Sequence, residues 1–340
     1  MRRIKCVVWD LDDTLVDGVL LERPEATPPR VDERMLALIE RLDREGIVNS
    51  VASRNPPEAL DDVLAAAPLL RERLVAPQLG WGRKSDAIRR VAATLDVGLD
   101  AIAFVDDDPF ERAEVQGALP DVLVLDRSEV EPAVEAFTAP AVTAEARGRA
   151  AAYRANEERR LAASAFADYE AFLRTCAISM RLAPASPADA DRLAELAART
   201  HQYNSTGAQP GAADFARAAA DPGAHIATVR VRDRFGEDGL VGAAWRTLPG
   251  DGVASLDLVM VSCRAALRGT VRVLLTHALD ECRAAGARVA RLPLKATSRN
   301  VPLRLTLRDY GFAAAGDALL ERDLTTPYPG FPDWVSVERG

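Results

Sequence analysis

Short apolar runs and longer amphipathic stretches take turns along the first part of the chain. The runs Val7–Trp9, Ile47–Val51 and Ala101–Val105 have the length of buried strands. Val31–Glu45 instead repeats apolar residues at helical spacing and is followed by Gly46, a common helix stop. Further elements are predicted as helices at Glu58–Leu74 and Ser85–Leu95 and a last strand within Leu119–Leu125. This alternation predicts an α/β fold built on a doubly wound parallel sheet.

The second part of the chain starts a new α/β pattern near Cys176. Its predicted elements are, in chain order, strand Ile178–Leu182, helix Ser186–Thr200, strands Ala224–Val231, Leu240–Thr247 and Ala254–Val261, helix Val271–Ala285, strand Val289–Leu294 and helix Ser298–Asp309. Between the two parts, Ala139–Arg174 is rich in Ala, Glu and Arg, which indicates linking helices with a solvated face. We therefore predict a first domain over residues 1–135, a helical linker over 136–175 and a second domain over 176–328.

Composition narrows the classes of function. The net charge of −8 argues against a general nucleic-acid surface, and no run approaches the length of apolar residues that a membrane span needs. The amino-terminal segment runs straight into the first strand, so no cleaved apolar signal segment is expected. The four cysteines show neither pairing nor metal-binding spacing, which fits a reducing, cytoplasmic setting.

Polar side chains gather where the predicted strands of the first domain end. The clusters are Asp10 to Thr14, Ser53 to Asn55, Lys84 and Asp106 to Asp108. Because binding sites in such sheets lie at the carboxyl ends of the strands, we expect these clusters to form one site. Lys84 is one of only three lysines in a chain whose positive charge is almost all arginine, which marks it as a candidate for a required amine.

The first cluster carries the chemistry. Asp10 and Asp12 have one residue between them, so in extended backbone they share a face, where their carboxylates repel unless a cation or proton lies between them. Mg²⁺ prefers such hard oxygen ligands. The stretch Asp12–Thr14 is also good turn chemistry, and taken alone it fits a solvated turn equally well.

Phosphoryl transfer is the reaction that suits these groups. Asp10 would attack phosphorus, and Asp12 would protonate the leaving oxygen and later activate water. Asp106 and Asp107 would join Asp10 and Asp12 in holding Mg²⁺. The predicted phosphate-binding residues are Ser53, Arg54, Asn55 and Lys84.

The order of these motifs resembles the haloacid dehalogenase (HAD) superfamily over roughly residues 1–130. Val7–Leu15 is similar to its Asp-x-Asp-x-Thr motif, Ser53 to the second-motif Ser/Thr, Lys84 to the third-motif lysine and Phe104–Asp107 to the acidic fourth motif. The resemblance implies a Rossmann-like phosphatase domain. No large cap insertion is expected, since the loop Val16–Arg30 is too short for one.

A narrower resemblance is to FkbH-like proteins of HAD subfamily IIIC. The stretches that carry it are Trp9–Leu15, Val19–Glu22, Ser50–Asn55, Gly80–Gly82 with Lys84, and Phe104–Glu111. It implies a role in polyketide or natural-product biosynthesis: transfer of a glyceryl unit from 1,3-bisphosphoglycerate, a phosphorylated three-carbon metabolite, to an acyl carrier protein with loss of phosphate. Asp13 and Val16 depart from the family pattern, which has Asn or Gly and Trp there.

The second part resembles an N-acetyltransferase-like (GNAT) fold over about residues 176–325, with Tyr310–Phe312 after a helix as a supporting feature. Thr200–Gly207 is also similar to the second half of FkbH-like proteins, with His201 and Tyr203 as departures. The family's pyrophosphate-binding pattern is degenerate around Arg268–Thr270. We therefore expect an acyl-handling or carrier-binding domain rather than an active N-acetyltransferase.

Acyl transfer also needs a nucleophile, and three residues are candidates for handling the acyl group or carrier: Cys263, His201 and Asn204. Cys263 could instead be a core residue, and the carrier's own thiol could attack directly. His277 is a second candidate base beside His201. Two other functions stay open as well. One is a phosphatase acting on another small or carrier-bound phosphate ester, and the other is a non-catalytic module that docks a carrier protein.

Overall fold

The computed structural model describes residues 4–24, 27–137 and 143–340, and it leaves the side chains of residues 249 and 250 undescribed. The contacts divide the chain into two compact units, Met1–Ala155 and Asn156–Gly340. The division falls inside the stretch 136–175 that was predicted to link two domains. None of the helices in the described residues is long and apolar enough to span a membrane.

The first unit is built on a five-stranded parallel sheet with the order β3-β2-β1-β4-β5. Its strands are β1 Cys6–Trp9, β2 Val48–Ser53, β3 Gln78–Leu79, β4 Ile102–Val105 and β5 Leu123–Leu125. Its helices are α1 Glu33–Arg44, α2 Pro57–Ala66, α3 Leu69–Arg73, α4 Lys84–Leu95, α5 Pro109–Ala118, α6 Val130–Val134 and α7 Ala144–Arg147, and α8 Arg149–Ala163 runs across the division.

Helices cover both faces of this sheet, because alternate residues of a strand point to opposite faces. Val7 and Trp9 of β1 enter the core that α1 covers, whereas Cys6 and Val8 enter the core that α4 covers. The Trp9 indole also donates to Asn49 Oδ1 at 3.0 Å, which satisfies its polar atom inside the core. The predicted doubly wound parallel sheet is confirmed.

Two local features of the first unit differ from the prediction. The helix expected over Glu58–Leu74 is broken into α2 and α3 at Pro68, which lacks the N–H that would continue α2. The strand β3 was not predicted, because two residues are too few to show a periodicity.

The second unit contains an eight-stranded mixed sheet with the order β11-β12-β10-β9-β8-β7-β6-β13. Its strands are β6 Ile178–Pro184, β7 Ala224–Asp233, β8 Gly236–Gly250, β9 Val253–Val261, β10 Val289–Pro293, β11 Ala313–Gly316, β12 Leu319–Asp323 and β13 Val335–Arg339. Its helices are α9 Tyr169–Thr175, α10 Ala190–Arg199, α11 Ala212–Ala220, α12 Cys263–Ala265, α13 Val271–Ala284 and α14 Val301–Asp309. The predicted second α/β domain is confirmed as a fold class.

Strands β9 and β10 pair in parallel only from Val253 to Ser255 and then part. Beyond that point the edge of β9 is taken by the loop after α10. Ser205 N donates to Val259 O at 3.0 Å, and Val261 N donates to Tyr203 O at 2.9 Å. The backbone of this loop thus hydrogen-bonds the N–H and C=O groups of β9 that β10 leaves unpaired.

Helix α11 and strand β13 are among the elements of this unit that the sequence pattern missed. Helix α11 is mostly alanine, so only Phe215 and Ala218 mark its buried face. Strand β13 lies beyond residue 328, where the prediction ended the domain, and pairs in parallel with β6 from the far end of the chain. Neither pairing partner nor sheet edge is visible in a local sequence pattern.

Candidate active site

Asp10 and Asp106 are the first residues after two neighbouring strands. Asp10 N donates to Val105 O at 2.9 Å, so the end of β1 is tied to the end of β4. The register Trp9↔Val105 brings both carboxylates to the same edge of the sheet. Both side chains are nearly inaccessible, with residue exposures of 6% for Asp10 and 0% for Asp106. The predicted clusters of these two strand ends therefore meet.

Lys84 joins the two carboxylates. Its Nζ lies 2.5 Å from Asp10 Oδ1 and 2.6 Å from Asp106 Oδ2. Lys84 is the first residue of α4, and the start of that helix is held by Ser85, whose Oγ donates to Glu114 Oε1 at 2.6 Å. The ammonium is thus fixed by a helix terminus rather than by a flexible loop.

Burial and charge act against each other here. Burial raises the pKa of Asp10 to about 7, the Lys84 ammonium opposes that rise, and the Asp106 carboxylate adds to it. Burial alone would lower the pKa of Lys84, but the two carboxylates outweigh it and raise that pKa. Lys84 therefore stays protonated, and a single ammonium shares two carboxylates.

The residues present fit a divalent cation. Asp10, Asp106 and Asp107 each offer a carboxylate oxygen, and these oxygens all lie within 4.8 Å of one another. With all three carboxylates ionised, the ammonium of Lys84 would leave two negative charges, which a divalent cation would neutralise while opposing the rise in the pKa of Asp10. Thr14 helps to place Asp107, because its Oγ1 donates to Asp107 Oδ1 at 3.2 Å. Hard oxygen donors alone are the set that Mg²⁺ prefers.

The carboxylate of Asp12 is not among the three that lie close enough together to share a cation. Its Oδ1 accepts from Leu20 N at 2.8 Å, and its Oδ2 accepts from Asn55 Nδ2 at 2.7 Å. These bonds hold the carboxylate beside the second polar cluster, where Asn55 also donates to Ser53 Oγ at 3.0 Å. The position suits a proton-transferring residue next to a bound phosphate. Its membership of the metal site stays a prediction.

Of the predicted phosphate-binding residues, Ser53 and Asn55 are buried beside Asp12, and Lys84 lies between Asp10 and Asp106. Arg54 differs, because its Nη1 pairs with Glu111 Oε1 at 2.8 Å and the side chain is partly exposed. Binding a phosphate through Arg54 would therefore compete with Glu111.

Arg112 supports the site but was not among the residues predicted from the sequence. Arg112 Nη1 donates to the carbonyl oxygens of Asp106 and Asp107 at 2.8 and 2.6 Å and pairs with Asp126 at 2.9 Å. It thereby holds the backbone of the acidic turn. In the sequence, Arg112 merely stands six and five residues after Asp106 and Asp107, and an arginine at such a distance on the following helix is common without any role.

We expect Mg²⁺ to stabilise the first unit. Binding to the folded state alone stabilises by about 2.7 kcal/mol at a hundredfold excess over Kd. Thermal unfolding should therefore shift upward in MgCl₂ relative to NaCl of equal ionic strength, and Asp107→Asn should reduce the shift because one ligand charge is lost. Asp13→Asn is the matched control and should keep the shift. An equal shift for both variants would contradict the assigned ligand set.

In the second unit, the candidate acyl-handling residues lie in different local settings. Asn204 is buried, and its amide holds its own loop: Nδ2 donates to Ala208 O at 3.0 Å, and Oδ1 accepts from Gly207 N at 2.8 Å. His201 is exposed in a turn, and Cys263 is a half-buried thiol that begins α12 and packs against the main core. Their acyl or carrier role stays a prediction.

The loop before α13 is occupied by its own ion pairs. Arg268 is 1% exposed, donates to Asp233 Oδ2 at 2.9 Å and also pairs with Asp238. Gly269 has a φ of +91°, and a Cβ there would lie 3.1 Å from Pro332. The arginine that precedes the helix is thus committed to the protein interior and is not free for a pyrophosphate.

Comparisons with known proteins give partial likenesses. No protein-family model and no curated protein matches the chain. Among solved structures, the N-terminal part of protein BF1531 from Bacteroides fragilis, containing a phosphatase domain complexed with Mg, shares 24% identity over 40% of this chain and 40% of its own, with a TM-score of 0.36. A putative GNAT-family acetyltransferase from Desulfovibrio desulfuricans shares 19% identity over 43% of this chain and 99% of its own, with a TM-score of 0.35. The ribosomal-protein-S18-alanine N-acetyltransferase from Escherichia coli shares 14% identity over 44% of this chain and 96% of its own, with a TM-score of 0.35. These likenesses are too distant to assign an activity, which is inferred instead from the residues of the site.

Proposed function

We propose that this protein is a Mg²⁺-dependent enzyme that removes a phosphoryl group through Asp10. One observation carries the proposal: a buried carboxylate at the end of β1 shares the ammonium of Lys84 with Asp106 and lies within reach of a third carboxylate. Burying these charges is costly unless function or a bound cation requires it. A solvated turn, the other interpretation of this stretch, would instead leave its carboxylates exposed.

The geometry supports a stepwise assignment. Asp10 Oδ attacks phosphorus, the bond from phosphorus to the leaving oxygen breaks, and an aspartyl phosphate forms. Asp12, held by Leu20 N and Asn55, protonates the leaving oxygen and then takes a proton from the water that hydrolyses the aspartyl phosphate. Lys84 and Ser53 hold phosphate oxygens. A Mg²⁺ ion held by Asp10, Asp106 and Asp107 would neutralise the developing charge.

We further propose the finer reaction that the motif resemblance implies, transfer of a glyceryl unit from 1,3-bisphosphoglycerate to an acyl carrier protein. In the acyl step, the carrier thiol forms a thioester with the C1 carbonyl carbon, the acyl-phosphate C–O bond breaks, and inorganic phosphate leaves with the thiol proton. Asp10 then removes the 3-phosphate from the carrier-bound unit by the route above, with water as the final acceptor of the phosphoryl group.

Exposed apolar side chains support a protein-borne substrate. Leu21, Trp81 and Phe110 are 56%, 68% and 69% exposed. They follow β1, β3 and β4 in sequence, on the same segments that carry Asp12, Lys84 and Asp106. Because the carboxyl ends of parallel strands meet at one edge of the sheet, we infer that these three side chains border the site. Exposed apolar groups around a site are typical of protein interaction.

The direct test is to incubate the protein with an acyl carrier protein in its thiol form, 1,3-bisphosphoglycerate and Mg²⁺, and to measure the intact mass of the carrier. We expect a gain equal to one glyceryl unit without phosphate. A gain that still includes the phosphate would support the acyl step and contradict dephosphorylation by Asp10. Phosphate release from small esters without any carrier mass gain would instead support the alternative, a phosphatase acting on another ester.

Removing the apolar border should separate carrier recognition from chemistry. For Trp81→Ser and Phe110→Ser, we expect kcat/KM on a carrier-borne phosphate to fall about tenfold more than kcat/KM on a small phosphate ester, because exposed aromatic anchors often contribute over 1 kcal/mol to protein binding. Leu161→Ser removes an apolar side chain of similar exposure on α8 and is the control. Equal losses on both substrates would contradict a docking role for these residues.

A further inference from the structure

A cavity of about 310 Å³ in the second unit brings together titratable groups that the proposed reaction does not use. The rest of its lining is mainly small and apolar, and its charged or titratable residues are Asp221, His225, Arg246, His277, Glu281 and Arg339. The small apolar residues include Ala183, Pro184, Ala219, Ala224 and Ala227. Two of the three histidines in the chain therefore line one cavity.

The sheet and one helix supply these groups in a fixed arrangement. His225 of β7 and Arg246 of β8 are directly paired across antiparallel strands, so their side chains share a face. His277 and Glu281 are one turn apart on α13, which packs on the sheet. Arg246 Nε lies 3.3 Å from Glu281 Oε2 and joins the two layers. The groups are thus held by regular elements rather than by loops.

Arg246 is incompletely satisfied. The residue is 8% exposed, and its Nη1 is buried without a hydrogen-bond partner among the described residues. A buried guanidinium nitrogen without a partner costs free energy, because its bonds to water are lost and not replaced. The side chain as a whole keeps 9% of its surface accessible and lines the cavity, so an anion there would add a charge-assisted contact to the one that Glu281 makes.

The other charged residues of the lining favour an anion with a single negative charge. Glu281 already takes one side of the guanidinium, and Asp221 also borders the cavity, where its Oδ1 accepts from Gly223 N at 2.8 Å. Arg339 also lines the cavity, but its Nη2 pairs with Asp280 Oδ2 at 3.6 Å, so a dianion such as phosphate would meet two carboxylates while one of the two arginines is already paired elsewhere. His277 adds a hydrogen-bonding group without charge near neutral pH, because burial lowers its pKa.

We propose that this cavity binds a small monocarboxylate with a short aliphatic body. The carboxylate would pair with Arg246, and the alkyl part would lie against the alanine and proline side chains. The site is independent of the phosphoryl-transfer site, since every group that lines it belongs to the second unit.

Sodium butyrate is the probe, with sodium chloride of equal ionic strength and inorganic phosphate as comparisons. On the full chain, ligand-detected NMR should give a butyrate Kd on the order of 1 mM or tighter, in line with the affinity available to so small a ligand. Arg246→Met should weaken it at least about tenfold. Arg283→Met is the control: it removes an exposed arginine of α13 that lies outside this cavity, and it should leave the butyrate Kd unchanged.

A second variant keeps the test decisive if Arg246→Met fails to fold. Ala219→Phe fills the apolar end of the cavity from the partly exposed helix α11, so it should abolish butyrate binding while acetate still binds. The proposal is overturned if the unaltered protein does not bind butyrate, if phosphate binds equally well, or if Ala219→Phe leaves the butyrate Kd unchanged. None of these results depends on phosphatase activity.

Discussion

Replacing Asp10 by Asn is expected to lower Mg²⁺-dependent phosphate release by at least about 10³-fold, the scale on which loss of a reacting group acts. An amide nitrogen and a neutral oxygen cannot attack phosphorus as a carboxylate does, and the substitution also removes one ligand charge for the cation. Release of inorganic phosphate from a generic phosphate ester, followed with and without Mg²⁺, measures the effect.

Asp13→Asn is the matched control for this experiment. It makes the same chemical change three residues further along the same loop, at a position whose φ of +48° suits asparagine, and Asp13 Oδ1 accepts from Gly18 N as an amide oxygen also would. We expect its phosphate release to stay within about threefold of the unaltered protein, an estimate for an exposed, non-reacting group. Comparable loss in both variants, or retained release in Asp10→Asn, would remove Asp10 as the nucleophile.

The second large effect is expected on stability. Asp233 is held by two buried arginines: Arg159 donates to both of its oxygens at 2.9 and 3.0 Å, and Arg268 donates to Oδ2 at 2.9 Å. Asp233→Asn would remove the counter-ion that these two buried guanidinium groups share and would leave Arg268 with Asp238 alone. We expect the free energy of unfolding of the second unit to fall by about 3–5 kcal/mol. Native-state hydrogen exchange of β6, β7 and β8 amides measures that unit separately from the first.

The pH dependence of this effect follows from the direction of the pKa. Burial of Asp233 opposes ionisation, but Arg159 and Arg268 outweigh it and lower the pKa. A lowered folded-state pKa means that the carboxylate's contribution is fully present above the unfolded pKa of about 3.9 and is lost as pH falls through the folded pKa. The difference between the two proteins should therefore be constant at neutral pH and shrink in acid. Asp317→Asn, an exposed carboxylate of the same unit, should show no difference at either pH.

The local hydrophobic pattern was enough to predict the strands whose ends carry the site of the first unit. The apolar run that becomes β1 is buried on both faces, and the acids that follow it emerge at the strand end, as the alternation of strands and helices predicts. Lys84 was singled out because lysine is rare in this chain, and it lies between Asp10 and Asp106. These features depend on short-range periodicity and on the general geometry of parallel sheets, which any sequence of this pattern shares.

Side-chain partners could not be read in the same way. Asp12 has the spacing to share a face with Asp10, yet the turn after β1 leads its carboxylate to Leu20 N and Asn55 instead. Arg54 lies in a predicted phosphate-binding cluster but pairs with Glu111 from α5. In each case, the deciding partner is distant in sequence and is brought close only by packing of whole elements.

By itself, the sequence determined the fold class of both units, the strand ends at which the first site forms, and the residue types available there, because these follow from hydrophobic period and chain order. Only the tertiary structure decided which carboxylates share Lys84, that Arg268 is committed to Asp233, and that His225, Arg246 and His277 line one cavity. The physical reason is that hydrogen bonds and ion pairs act over about 3–4 Å. Contacts of that range between residues far apart along the chain depend on register, helix rotation and burial, none of which has a local signature.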